Sequence, residues 1–380
     1  MVLVDLDLQQ YLSDLETLVN IDSVSSQPTG ADRIAAFMKK KFQNIGWTVE
    51  ELQPDPTVGP CLTITNRPAQ SYDILLLAHM DTVFPIGTAS KRPFRTDGNR
   101  AYGPGVIDCK GGMLSGFYAL KALDEKKLLQ NSSICVFLNS DHEGISSKFS
   151  SRINRQLARK SRYALVLEAG RANGDLVYKR KGIARYAATF QGVAAHAGVD
   201  FQKGHSAVEE MAHWILALQG ATDLSKETTV NVGRAEGGST ISAVPGEACI
   251  AVDVRYYEKD EIDRITTLMD ELAAHPRTNG THAEYTGGIT RPPMLPSEKT
   301  KQLCHWIDMI GRDLGIPFGW MASGGGSDGS FAAETGTPTI DGLGPVGGGA
   351  HSDNEYMEID TVIPRYYLLC RTIEKIIASS

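Results

Sequence analysis

Apolar positions recur at helical spacing early in the chain. Leu8, Leu12, Leu15 and Val19 fall on one face, and so do Ile34, Phe37, Met38, Phe42 and Ile45 just before Gly46. A glycine there suits the residue just past a helix end. The pattern then changes to short unbroken apolar runs. Leu75–Leu77, Ile134–Leu138 and Tyr163–Leu167 carry too few polar positions for a half-exposed strand, and predict strands buried on both faces. Further strands are expected near Trp47–Gln53 and Cys61–Thr65, with helices over Gly112–Lys126 and Ile153–Lys160. This alternation predicts an α/β core whose mostly parallel sheet is covered on both sides.

After Lys181-Gly182 the periodicity becomes two. Ile183–Gly192 alternates as a half-buried antiparallel strand, followed by a helix (Ser206–Gln219), strands (Thr228–Ala235, Glu247–Tyr257), a helix (Lys259–Ala274) and a strand (His282–Gly287). Strand-helix-strand-strand-helix-strand is the order of a ferredoxin-like α+β unit. The expected organisation is a discontinuous core domain, 1–180 and 292–380, with a unit at 181–291 inserted into it.

Composition narrows the classes. At 380 residues the chain exceeds what one core usually supports, in keeping with two domains. A formal net charge of −7 argues against nucleic acid as a partner and offers no polybasic membrane patch. No apolar run approaches a membrane span, and the opening Met1-Val2-Leu3-Val4-Asp5 lacks the basic start of a leader. The 6 cysteines show no CxxC spacing, which points to reduced structural thiols and a cytoplasmic setting.

The candidate chemistry lies where apolar runs stop. Leu75–Ala78 ends in His79-Met80-Asp81, whose imidazole and carboxylate share one face of an extended chain. The Gly/Pro-rich turn Gly103-Pro104-Gly105 delivers Asp108 just before Lys110-Gly111-Gly112. Asp141-His142-Glu143 follows one run, Glu168 ends another, and His351 sits after the glycine cluster Gly347–Gly349. Imidazoles and carboxylates at the carboxyl ends of sheet strands are placed where open α/β sheets bind ligands, and are of the types that bind metal.

The ordered set resembles the M20 family of di-zinc metallopeptidases, and within it the glutamate carboxypeptidase branch of the carboxypeptidase G2 type. The likeness spans essentially the whole chain. It includes Ala195-His196-Ala197-Gly198, Gly237-Gly238-Ser239, Asp253-Val254-Arg255, Thr290-Arg291-Pro292 and Gly324–Asp328. The resemblance implies a di-zinc peptidase core with an inserted lid and dimerisation domain, and a homodimer. It implies two zinc ions per chain, with cobalt or manganese as substitutes. His79, Asp108 and Glu168 would hold one ion, Asp108, Glu143 and His351 the other, with Asp108 bridging. Asp81 would orient His79 by accepting its second ring N–H. His196 would stabilise an oxyanion, while Arg291, with Arg255 near it in the pattern, would bind the substrate carboxylate. The implied reaction is hydrolysis of an amide bond beside a free carboxylate in a peptide or N-acyl amino acid, release of a C-terminal glutamate included.

The sequence departs from the family in places. The corner normally reads Asp-Glu-Glu, and its first Glu is the general base; His142 stands there instead. Shifting the alignment would make Glu143 the base and leave Gly144 at a ligand position, so His142 is kept at the base position. Three outcomes stay open: a working imidazole base, an additional zinc ligand, or a slow site. Ser242, a further substrate-binding candidate, stands where the resembled branch carries an Asn beside the oxyanion. The alternatives are an N-acetyl or N-succinyl diamino acid deacylase, and a metal- and ligand-binding homologue with impaired catalysis. Lys179, Arg180 and Lys181 read as a solvated hinge, with a substrate role as the alternative, and His205, His213, His275, His282 and His305 as surface or helix histidines.

Overall fold

The structure is a computed structural model and describes residues 5–379; the opening segment 1–4, read above for a leader, lies outside them. The chain divides into two compact units. One contains the chain up to Arg180, Met294–Ser323 and the chain from Ser327 on; the other contains Lys181–Pro293 and Gly324–Gly326. The inserted unit therefore ends at Pro293, not 291, and takes in a segment expected in the core. Local contacts explain the addition: Arg255 Nη1 donates to the Gly324 carbonyl at 3.0 Å, and a Cβ on Gly326 would lie 2.8 Å from Arg291 Cδ and Ile183 Cδ1.

In the first unit the strands are β1 (Thr48–Leu52), β2 (Cys61–Thr65), β3 (Tyr72–His79), β4 (Ile134–Asn139) and β5 (Ser161–Val166). With the short strand Thr339–Ile340 they form one sheet in the order β1-β2-β4-β3-β5-Thr339–Ile340. The β3–β4, β3–β5 and last pairings are parallel, and the first two antiparallel. Alternate residues of the apolar runs go to opposite faces. Ile74, Leu76 and Ala78 join the large core beneath helices α1 (Leu8–Val19), α2 (Pro28–Asn44) and α3 (Gly111–Glu125). Leu75 and Leu77 join Phe137, Val166, Leu157 and Ala158 beside α4 (Ser151–Arg159). That two-sided burial is why these strands read as unbroken apolar runs.

The second unit is a four-stranded antiparallel sheet of β6 (Gly182–Gln191), β7 (Thr229–Gly237), β8 (Glu247–Tyr256) and β9 (His282–Arg291), in the order β7-β8-β6-β9. Helices α5 (Ala207–Gly220) and α6 (Lys259–Ala274) cover one face. Ala184, Tyr186, Ala188 and Phe190 of β6 pack there with Trp214, Ile265 and Met269. The intervening β6 residues are exposed, so the period-two pattern has a direct physical cause.

Candidate metal centre

Three parallel strands deliver the first groups to one level. His79 ends β3 opposite Asn139, which ends β4. Leu77 pairs with Val166, so Glu168 emerges from β5 level with His79. The first turn of α3 then fits closely against this strand end: a Cβ on Gly112 would lie 1.7 Å from the Leu167 carbonyl oxygen. Glycine is required there by close approach. It brings the start of α3, just after the Asp108 loop, against Leu167, the residue before Glu168.

Asp108 is the shared member of two groups. Its Oδ1 lies 3.0 Å from His79 Nε2, and its Oδ2 lies 3.3 Å from His351 Nε2. Glu168 Oε1 stands 3.5 Å from His79 Nε2, and Glu143 Oε1 3.1 Å from His351 Nε2. Donor atoms around one tetrahedral zinc, at bond lengths of 2.0–2.2 Å, lie about 3.4 Å apart. The imidazole nitrogens and carboxylate oxygens thus have the chemistry and spacing to bind a divalent metal ion. The electrostatics agree. Burial and then the Asp108 charge push the Glu168 carboxyl up to about 7. Hydrogen bonds to Asp108 and Glu143 raise the His351 imidazole to about 10. Burial alone would raise Asp108, yet hydrogen bonds from His351 and His79 hold it well below the usual carboxylate range. A cluster with this excess of acid favours cations. His351 takes up its place at a backbone φ of 64°, a conformation that L side chains adopt at a cost.

Asp81 supports His79 and also does more than expected. His79 Nδ1 is 3.0 Å from the Asp81 backbone carbonyl and 3.5 Å from the carboxylate, so the carbonyl is the closer acceptor. The Asp81 carboxylate is engaged by the backbone N–H groups of His142 and Glu143 at 3.2 and 2.9 Å, and by Ser25 Oγ at 2.5 Å. It ties the end of β3 to the corner after β4. That corner is a short helical turn, His142–Ile145, followed by Ser146 and Ser147 with φ of 57° and 56°.

His142 is buried and stacked on His79. Its Nδ1 lies 3.1 Å from Asp328 Oδ2, and its Nε2 3.7 Å from Glu168 Oε1. Asp328 is itself fixed by Asn139 Nδ2 at 2.6 Å and Ser147 Oγ at 2.5 Å. Sequence reasoning placed Asp328 in a motif but gave it no role. It missed Glu355 altogether, although this buried carboxylate accepts the N–H groups of Gly105, Ile107 and Asp108 at 2.8–3.1 Å and so shapes the Asp108 loop. The only signal was an acidic residue closely following His351 in a polar loop.

The remaining predicted residues belong to the second unit. His196 is exposed, and its Nδ1 accepts the Gly198 and Val199 N–H groups, each at 3.1 Å. In the neutral ring this leaves the proton on Nε2 as a donor. Ser242 is exposed, and its carbonyl accepts the Ala197 N–H at 2.9 Å. Arg291 is 3% exposed. Arg255 grips Asp253 with Nε and Nη2 at 2.6 and 3.1 Å, so its fork already holds a carboxylate of its own strand. Arg180 corrects the hinge expectation: it is 3% exposed and bound to buried Asp341 at 2.6 Å. Parallel pairing of Leu176–Arg180 with Trp320–Ser323 carries it inward.

Comparison with known proteins gives this geometry a family. Residues 75–375 match the model of peptidase family M20/M25/M40. The chain belongs to peptidase family M20. It is 30% identical to carboxypeptidase G2 of Pseudomonas sp. (strain RS-16), over 95% of this chain and 88% of that one. It is 25% identical to a succinyl-diaminopimelate desuccinylase of Pseudoalteromonas atlantica, over 92% and 94%. Its fold matches the M20 family metallo-carboxypeptidase Sso-CP2 of Sulfolobus solfataricus, with a TM-score of 0.77 at 16% identity over 97% and 99% of the two chains. Aminopeptidase PepT of Bacillus cereus matches with a TM-score of 0.78 at 23% identity over 98% and 99%. This M20 protein is a hydrolytic enzyme of the metallopeptidase and amidohydrolase type. Among its described residues no helix is long and apolar enough to cross a membrane.

Proposed function

We propose that this M20 enzyme hydrolyses an amide bond beside a free carboxylate, as a carboxypeptidase or N-acyl amino acid hydrolase using two zinc ions. The observation that carries the reading is Asp108, whose two oxygens face separate imidazole–carboxylate pairs. His79, Asp108 and Glu168 would hold one ion, and Asp108, Glu143 and His351 the other. When bound, the metals supply Lewis-acid polarisation of the scissile carbonyl and acidify the attacking water.

The protein's own part is proton handling. His142 occupies the position of the family's usual glutamate base. With its Nδ1–H directed to Asp328 Oδ2, the neutral ring presents an unprotonated Nε2. That nitrogen takes the proton of the attacking water and returns it to the departing amine. In the lid unit, His196 is proposed as the oxyanion donor through Nε2–H, and Arg291 as the carboxylate clamp, whose planar fork suits a carboxylate. Arg255 is proposed as a second carboxylate-binding residue, released from Asp253 when substrate binds. The active form is proposed to be a cytoplasmic homodimer.

The test is elemental analysis paired with turnover of N-acyl glutamates, dipeptides and N-succinyl diamino acids after zinc loading. Two zincs per chain with turnover of the first two groups supports the reading. Preference for the N-succinyl diamino acids would move the enzyme to the deacylase class, two zincs without turnover would leave His142 an impaired substitute, and failure to bind metal would remove the site assignment.

A further inference from the structure

Arg171 follows Glu168 closely in sequence, in a turn closed by the Arg171 N–H to the Asp175 carbonyl at 3.1 Å and the Gly174 N–H to the Arg171 carbonyl at 2.7 Å. Its Nη2 reaches Ser323 Oγ at 3.4 Å, near the outer limit of a hydrogen bond. Its Nε is buried without a hydrogen-bond partner among the described residues. Arg180, across the same serine, also approaches Ser323 Oγ, at 3.5 Å. Arg180 Nε already holds one carboxylate, Asp341 Oδ2, at 2.6 Å. Arg171 forms no ion pair within 4 Å among the described residues.

A half-buried guanidinium beside a like charge is an expensive arrangement unless an anion completes it. Burial, followed by the Arg180 charge, lowers the Arg171 pKa, while Asp341, Glu168 and Asp108 act in the opposite direction. Of those acids, Asp341 is held by Arg180, and Glu168 and Asp108 are the proposed metal ligands. None is left to neutralise Arg171. The side chain is partly exposed, a guanidinium can offer a planar anion two parallel N–H groups, and the Ser323 hydroxyl lies 3.4 Å from Nη2.

We infer that Arg171 and Ser323 form a carboxylate-binding subsite on the catalytic unit, beside Glu168, which recognises an anionic group of the substrate. It is distinct from the lid arginines, and it rests on the metallohydrolase reading for the term "substrate", though not for anion binding itself.

Calorimetric titration of the zinc-loaded full chain with succinate and with neutral succinamide tests the subsite. Wild type is expected to bind succinate at least ten-fold more tightly than succinamide. Arg171→Gln should lose at least ten-fold in succinate affinity, with succinamide unchanged. Ser323→Ala should lose two- to five-fold, and serves as the second variant if Arg171→Gln does not fold. Equal succinate affinity in wild type and variants, or no succinate preference in wild type, overturns the inference. Metal content and turnover, measured on the same samples, report separately on the proposed function: a succinate effect without hydrolysis would keep the subsite and remove that reading.

Discussion

His79 and His142 lie ring against ring, with centroids 4.2 Å apart and planes within 8° of parallel. Each presents Nε2 toward Glu168 Oε1, at 3.5 and 3.7 Å, and each has Nδ1 held from behind, by Asp81 in one case and Asp328 in the other. Position decides between base and ligand for His142. If it is the base, His142→Ala lowers kcat by about 10²–10⁴-fold with zinc content unchanged, and His142→Glu restores much of it. Loss of one zinc equivalent in His142→Ala would instead make the imidazole a ligand.

Asp328 is a positioning residue under this reading. Asp328→Asn keeps the size but removes the charged acceptor for the His142 ring, so the tautomer and orientation are less defined. Outer partners of this kind are typically worth about 10–100-fold in activity or metal affinity. A fall of that size in kcat, with KM little changed and an altered pH profile, is expected. An unchanged pH profile would reduce Asp328 to packing.

The shared placement of Asp108 makes an unequal metal loss the expected result. Asp108→Ala removes an oxygen from each group, and should leave the dialysed protein with neither zinc. His351→Ala should leave one. Elemental analysis after the same dialysis distinguishes them, and equal losses would argue against a bridging role.

The sequence was readable where one physical rule acted alone. The strand ends at His79 and Glu168 could be located because burial on both faces gives unbroken apolar runs, and α5 and α6 because their apolar stripes meet a period-two sheet. The supporting carboxylates were less legible. Glu355 contacts the Asp108 loop across a large sequence separation, and nothing in its neighbours distinguishes it from a solvated loop acid. Arg180 lies between two other cations in sequence, a pattern that favours solvent, and only pairing with buried Asp341 explains its burial. Asp81 was recognised as a support for His79, but its further hold on the His142 and Glu143 N–H groups was not legible, because that corner lies far along the chain.

Glu355 provides a test of loop support. Its two oxygens accept three backbone N–H groups around Asp108, and Glu355→Ala leaves these buried donors unsatisfied, at about 1–3 kcal/mol each before relaxation. The expected outcome is a lower melting midpoint and zinc affinity weakened by about 10–100-fold. Glu355→Gln, which retains one acceptor oxygen, should be milder on both. Wild-type zinc affinity in Glu355→Ala would show that the Asp108 loop holds its shape unaided.

The second unit offers a pH-dependent prediction of its own. Glu261, 2% exposed at the start of α6, accepts Arg264 Nη2 and Lys226 Nζ, both at 2.7 Å. The Arg264 hydrogen bond, followed by that from Lys226, lowers its pKa from 4.5 to about 2. A carboxyl with a depressed folded-state pKa stabilises the fold fully above its unfolded pKa, and that contribution fades as pH falls through the folded value. The Glu261 contribution is therefore complete at pH 7, declines below about pH 4.5 and is mostly gone near pH 2. Glu261→Gln should speed amide hydrogen exchange across α6 at pH 7, with the gap from wild type narrowing steadily below pH 4.5. A gap that is constant with pH would assign the effect to side-chain shape and not to charge.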